Sequence, residues 1–160
     1  MKPIVLATDG SPSAAAAVAQ SLEIASTLGS PLIAVSVEHG LQPGVGYYGS
    51  SDAISQLARA ESARVERALE QACAAAAEAH VVCEPVHARG FAPEEICRVA
   101  QDRRARMIVI GAHGWGALRR MLHGSYSTAV VHDAACPVLV VPAPVAVAPK
   151  QERLKEAVRS

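Results

Sequence analysis

Met107-Ile108-Val109-Ile110 is an unbroken aliphatic run, closed by Gly111 and followed at once by Ala112-His113-Gly114-Trp115-Gly116. A strand with one wet face alternates apolar and polar residues; a run without alternation suits a strand covered on both faces, as in a parallel sheet between helices. Ile4-Val5-Leu6 and Val138-Leu139-Val140-Val141 read the same way. Working outward from these runs, strands are predicted over Pro3–Thr8, Pro31–Val37, Val81–Ala88, Met107–Gly111 and Pro137–Val141. Between them, Ser13–Leu28 carries Ala15, Val18, Leu22, Ala25 and Leu28 at helical spacing, with Gly29 as its stop. Ser51–Ala79 places Ile54, Leu57, Val65, Leu69, Ala72 and Ala76 on one side, and its mixed charges (Arg59, Glu61, Arg64, Glu66, Arg67, Glu70) read as a solvated outer face. Pro93-Glu94-Glu95 opens a third helix running to about Arg103, with the proline and acids that a helix start favours. Ser125–Asp133 is the fourth.

Strands and helices therefore alternate, and right-handed crossovers turn that order into a three-layer, doubly wound α/β fold around a five-stranded parallel sheet. Ligands in such sheets bind beyond the carboxyl ends of strands, where the strand order reverses. The informative connections are those after the first, second and fourth strands.

Composition narrows the partners. The chain has 160 residues, enough for one domain, with 15 Lys+Arg against 15 Asp+Glu and only one Trp, three Tyr and one Phe. Zero formal charge and so few aromatics lack both the basic footprint and the stacking platforms of a nucleic-acid binder. The first apolar run stops at Thr8-Asp9-Gly10, too early for a secretory signal, and no stretch reaches the roughly 20 apolar residues of a membrane span. Cys136 to Ala148 is cut by Pro137, Pro142 and Pro144. Cys73, Cys83, Cys97 and Cys136 form no CxxC pair and are expected as reduced, mostly buried thiols in a cytoplasmic protein.

Three connections carry candidate chemistry. In Thr8-Asp9-Gly10-Ser11-Pro12-Ser13, Asp9 and the serines either cap the helix that follows or present Asp9 to a ligand or its metal ion. Gly44-Val45-Gly46-Tyr47-Tyr48-Gly49 has the letters of a dinucleotide fingerprint but not its context, because six residues separate it from Val37. It reads as a mobile surface loop, and no Walker-type phosphate loop occurs, since Ser50 stands where the lysine belongs. The third connection, Gly111 through Gly124-Ser125-Tyr126-Ser127, ends a strand in glycine and reaches a helix start bearing two hydroxyls. Glycines there let main-chain amides approach an anion, and a helix N-terminus adds free N–H donors and a positive dipole end. The bland alternative is that the glycines turn the chain and Ser125 caps. His113, His123 and His132 lack the spacing of a helical metal motif, and no GxSxG elbow precedes Ser125 to support a triad with His113 and Asp9. Arg119 and Arg120 either pair with phosphate or are exposed turn charges.

Gly111-x2-Gly114-x9-Gly124-Ser125 resembles the three-glycine signature of ATP-binding universal stress proteins. Thr8-Asp9-Gly10-Ser11, Gly90-x-Ala92-Pro93-Glu94-Glu95-Ile96 and Cys136-Pro137-Val138-Leu139-Val140-Val141-Pro142 extend that resemblance over about residues 1–142. It implies a Rossmann-like sheet, of the adenine nucleotide alpha hydrolase type, in the order 3-2-1-4-5, and a homodimer paired through the last strand. It also implies ATP over the strand ends, with AMP or cyclic AMP as other candidates and Mg or Mn accompanying the nucleotide. Ala7 and Asp9 would flank the base and ribose, with Asp9 also the metal ligand. Val35 or Val37 would contact adenine, and Gly111, Gly114, Gly124, Ser125 and Ser127 would hold ribose and phosphates. Tyr126 departs from the small aliphatic residue common there; its ring either narrows the site or turns into a dimer contact. Ala7 replaces the Pro or Val common at its position. Residues 143–160 fall outside the resemblance and form a flexible arm or a short docked helix.

The resulting expectation is a nucleotide-dependent regulator or sensor in stress response. Without a lysine-bearing phosphate loop or a group to orient water, hydrolysis should be slow or absent. The alternatives are a slow ATPase or phosphotransferase that needs Mg, Mn or a partner, and a family member that binds no ATP and works through protein contacts alone.

Overall fold

The computed structural model describes residues 1–12, 14–39, 51–112 and 126–142. Strands β1 (Ile4–Ala7), β2 (Leu32–Glu38), β3 (Cys83–Arg89), β4 (Met107–Gly111) and β5 (Val138–Val141) alternate with helices α1 (Ala14–Leu28), α2 (Ser51–Glu78), α3 (Ala92–Asp102) and α4 (Tyr126–Asp133). Every strand pairing is parallel, as the aliphatic runs predicted, and the sheet order is β3-β2-β1-β4-β5, as the family resemblance implied. Ser13, the 44–49 glycine segment, the 113–125 connection and the tail from Ala143 lie outside the described residues.

Two apolar layers sandwich the sheet. Val5, Ala7, Ile33, Val35, Val37, Ile108 and Ile110 pack with Ile96, Val99 and Val130 of α3 and α4. Ile4, Leu6, Leu32, Ala34 and Val109 pack with Ala17, Ala25, Val65, Leu69, Ala72 and Ala76 of α1 and α2. The central strands β1, β2 and β4 are thus buried on both faces, which is why their sequences do not alternate.

The buried stripes differ from the expected ones. In α1 the sheet is met by Ala14, Ala17, Ser21 and Ala25, while Ala15 is exposed and Leu28 is 40% exposed. Small residues let this helix lie close to the sheet. In α2 the stripe begins only at Val65; Ile54 is half-buried and Leu57 is 51% exposed. A 28-residue helix is about 42 Å long, far longer than a seven-residue strand, so its first turns overhang the sheet.

Three helices end in the same turn at the amino end of the sheet. After α1, Gly29 has φ +58°, its amide bonds to the Ser26 carbonyl, and the Ser30 amide reaches back to Ala25 at 3.0 Å. After α2, His80 has φ +55°, with its own amide on Ala77 and that of Val81 on Ala76. After α3, Arg104 has φ +49°, with its amide on Gln101 and that of Ala105 on Ala100. This paired arrangement is the Schellman motif, and each copy launches the next strand.

Candidate functional site

The register of the central strands gathers three carboxyl ends in one place. Ala7, last in β1, pairs with Val35 on one side and Ile110 on the other, so Asp9 leaves the sheet beside the exits of β2 and β4. The β1–β4 border is where the strand order reverses, since β2 and β3 lie to one side and β5 to the other. Gly111 closes β4, is buried, and pairs with Val141. Ala7, Val35 and Val37 are 0–3% exposed, their side chains held in the apolar layer against α3 and α4 next to these strand ends.

Asp9 is buried, and its Oδ1 accepts the Ser11 amide at 2.9 Å. Ser11 then caps α1, its carbonyl and hydroxyl both receiving the Ala14 amide. The loop between them is held tight: Gly10 sits at φ +73°, and a Cβ there would lie 3.1 Å from the Ala68 Cβ of α2. The turn-and-cap role foreseen for this segment is therefore realised, and it fixes where the Asp9 carboxylate stands.

A charged pair locks the same corner from α2. Arg64 Nη1 donates to the Asp9 carbonyl at 3.1 Å and Nη2 to the Val37 carbonyl at 3.0 Å, tying the ends of β1 and β2 together. Its fork also grips Glu61, Nε to Oε2 at 3.0 Å and Nη2 to Oε1 at 2.8 Å. The Arg64 guanidinium holds the Glu61 carboxyl down to about 2, against an ordinary 4.5, with partial burial opposing and the His39 amide and ring adding to the pull. These residues were read from sequence as solvated charges, and the structure corrects that reading for Glu61 and Arg64. The available signal was spacing: Glu61, Val65, Ala68 and Ala72 recur at four, three and four, so Glu61 lies on the same side of α2, one turn before the buried stripe begins.

Across the crevice, α4 begins at Tyr126 and Ser127. Ser127 is 7% exposed, and Tyr126 is half-buried. The Tyr126 ring meets His39, just past β2, edge-on at 5.9 Å and 69°, and Phe91, just past β3, at 5.8 Å. The ring is thus turned toward the β2–β3 side of the strand ends. Phe91 is the N-cap residue of α3 and is 49% exposed, a site aromatic that sequence reading passed over.

Of the expected site residues, the structure brings Ala7, Asp9, Val35, Val37, Gly111, Tyr126 and Ser127 to one end of the sheet. Gly114, Gly124 and Ser125 lie outside the described residues, as do His113, His123, Arg119 and Arg120. No three His, Cys, Asp or Glu residues cluster as a metal site among the described residues. No described helix is long and apolar enough to cross a membrane.

A doubly wound sheet with a glycine-ended strand and a polar crevice at its switch point defines an α/β protein of the Rossmann-like class. Residues 1–142 match the model of the universal stress protein family. A universal stress protein of Methanocaldococcus jannaschii is 34% identical over 145 residues, 89% of this chain and 83% of that one. One from Thermus aquaticus is 36% identical over 141 residues, covering 88% and 98% of the two chains. The chain belongs to the universal stress protein family. Among solved structures, the UspA universal stress protein of Lactobacillus plantarum superposes with a TM-score of 0.73 at 25% identity, covering 88% of this chain and 97% of that one. Two others of like fold were solved with nucleotides. A universal stress protein in complex with cAMP has a TM-score of 0.68 at 23% identity, covering 89% and 98% of the two chains. One from Arabidopsis thaliana with AMP bound has 0.67 at 20% identity, covering 96% and 99%.

Proposed function

We propose that this chain binds an adenine nucleotide over the carboxyl ends of β1, β2 and β4 and acts as a nucleotide-dependent regulator or sensor in stress response. The observation that carries this reading is the convergence of Asp9, Gly111 and the first turn of α4 at the switch point of the sheet. The residues present suit such a ligand. Gly111 offers backbone without a Cβ, Ser127 brings a buried hydroxyl, and the α4 N-terminus supplies amide donors to an anion. The solved relatives with cAMP and AMP support an adenine base.

In this reading Ala7 and Asp9 flank base and ribose, Val35 and Val37 underlie adenine, and Gly111, Gly114, Gly124, Ser125, Tyr126 and Ser127 surround ribose and phosphates. ATP is the proposed nucleotide, and Mg or Mn would accompany it, with Asp9 the residue that would hold the ion and the nucleotide's oxygens able to complete its ligands. The functional domain spans 1–142, with 143–160 as an extension, and the protein works in the cytoplasm. It is a homodimer through β5, an edge strand of four half-buried aliphatic residues that pairs only with β4 among the described residues.

Mass spectrometry of small molecules released from freshly purified protein tests the ligand, and calorimetry with ATP, AMP and cyclic AMP ranks them. Gly114→Val and Gly124→Val should each abolish binding while leaving the fold intact. Unchanged affinity in both variants would overturn the proposal.

A further inference from the structure

Cys73 of α2 and Cys83, the first residue of β3, lie with their sulfurs 3.0 Å apart, and both are free and half-buried. They are ten positions apart in sequence. The left-handed turn at His80, fixed by the Val81 amide on the Ala76 carbonyl at 2.8 Å, reverses the chain so that the start of β3 runs back beneath the last turns of α2. Parallel pairing of Cys83 with Leu32 fixes the other side. A disulfide needs sulfurs about 2.05 Å apart, so only a small side-chain adjustment separates this dithiol from a cross-link. The other two thiols, Cys97 within α3 and Cys136 just before β5, pack against the opposite apolar layer.

We infer that Cys73 and Cys83 form a redox modification site, which small disulfide oxidants close into an intramolecular disulfide tying α2 to β3. The site lies apart from the strand-end crevice and does not depend on the nucleotide reading. Burial, and then the hydrogen bond shared with Cys73, push the Cys83 thiol up to about 12. Either thiol can open the exchange with the same product, here followed from Cys73. Its thiolate attacks one sulfur of oxidised glutathione, the oxidant's S–S bond breaks, and one glutathione thiolate leaves and is protonated. Cys83 then loses its proton to solvent and attacks the Cys73 sulfur of the mixed disulfide, expelling the second glutathione. Two protein thiols are oxidised, one glutathione disulfide is reduced to two thiols, and the two cysteine protons end on the two glutathione sulfurs.

The test is incubation of the folded full-length protein with oxidised glutathione, followed by acid quench, alkylation and peptide mapping. The expected result is a Cys73–Cys83 cross-link, with alkylation of both residues reduced about tenfold or more while Cys97 and Cys136 stay free. Cys83→Ser should instead accumulate a stable glutathione adduct on Cys73, because the resolving sulfur is gone. Three outcomes would overturn the inference. They are four free thiols under conditions that fully oxidise a reference dithiol, single-cysteine adducts with no cross-link in the unsubstituted protein, and a cross-link that appears only after denaturation.

Discussion

The two ends of the sheet are built on different terms. At the amino end, α1, α2 and α3 hand over to the next strand through one repeated turn, whose bonds run from main chain to main chain whether the left-handed residue is Gly29, His80 or Arg104. At the carboxyl end no two described connections are alike. The β1 exit is set by the Asp9 carboxylate and Ser11, the β2 exit by Arg64 and Glu61, and the β3 exit by Gly90 at φ +138° with no side-chain cap on α3. One end tolerates side-chain change because it spends only backbone; the other depends on particular side chains, and there the ligand site is proposed.

That contrast can be broken by substitution. Arg64→Met should have the largest effect, about 2 kcal/mol of lost stability in urea unfolding, since it removes charged hydrogen bonds to two strand-end carbonyls. A near-neutral result would mean that the carboxyl end is as indifferent to side chains as the amino end. The same pair gives a pH signature. Glu61 titrates at about 2 in the folded chain against an ordinary 4.5, so its contribution is fully present above about pH 4.5 and is lost as pH falls toward 2. The stability gap between the parent and Arg64→Met should narrow over that window, and a constant gap would contradict the assignment.

Gly10→Ala comes next. The residue sits at φ +73° with Ala68 close by, and the left-handed penalty alone predicts a loss of about 1–2 kcal/mol. Ser127→Ala should cost about 0.5–1.5 kcal/mol of nucleotide affinity if one neutral hydrogen bond is lost, read by calorimetry. At the amino end the sign reverses. His80→Gly and Arg104→Gly should each stabilise by about 0.5–1 kcal/mol, because relief of the left-handed strain exceeds the added freedom of the unfolded chain. Destabilisation by either would mean that those side chains matter after all.

The same contrast explains what could be read from the sequence. Strand positions were legible because continuous aliphatic runs such as Met107–Ile110 have few other uses, while the order of the strands in the sheet came from the family resemblance. Of the three-glycine signature only Gly111 falls among the described residues, at the end of β4. Less legible was the rotation of α1: in an alanine-rich helix, Ala14 and Ala15 carry the same side chain, and only proximity to the sheet decides which is buried. Arg64 escaped for another reason, since a charge that serves main-chain carbonyls of other elements has no local sequence mark. The Cys73–Cys83 pair was hidden by the turn at His80, a left-handed residue that is not a glycine.

Both aromatic residues among the described ones stand at a strand's carboxyl end: Phe91 after β3 and Tyr126 at the start of α4, with their rings 5.8 Å apart. The pair is an optical label on that end of the sheet. A near-ultraviolet circular dichroism band assigned to it, by its loss in Tyr126→Leu, reports a small molecule landing there, while the turns at Gly29, His80 and Arg104 carry no aromatic ring.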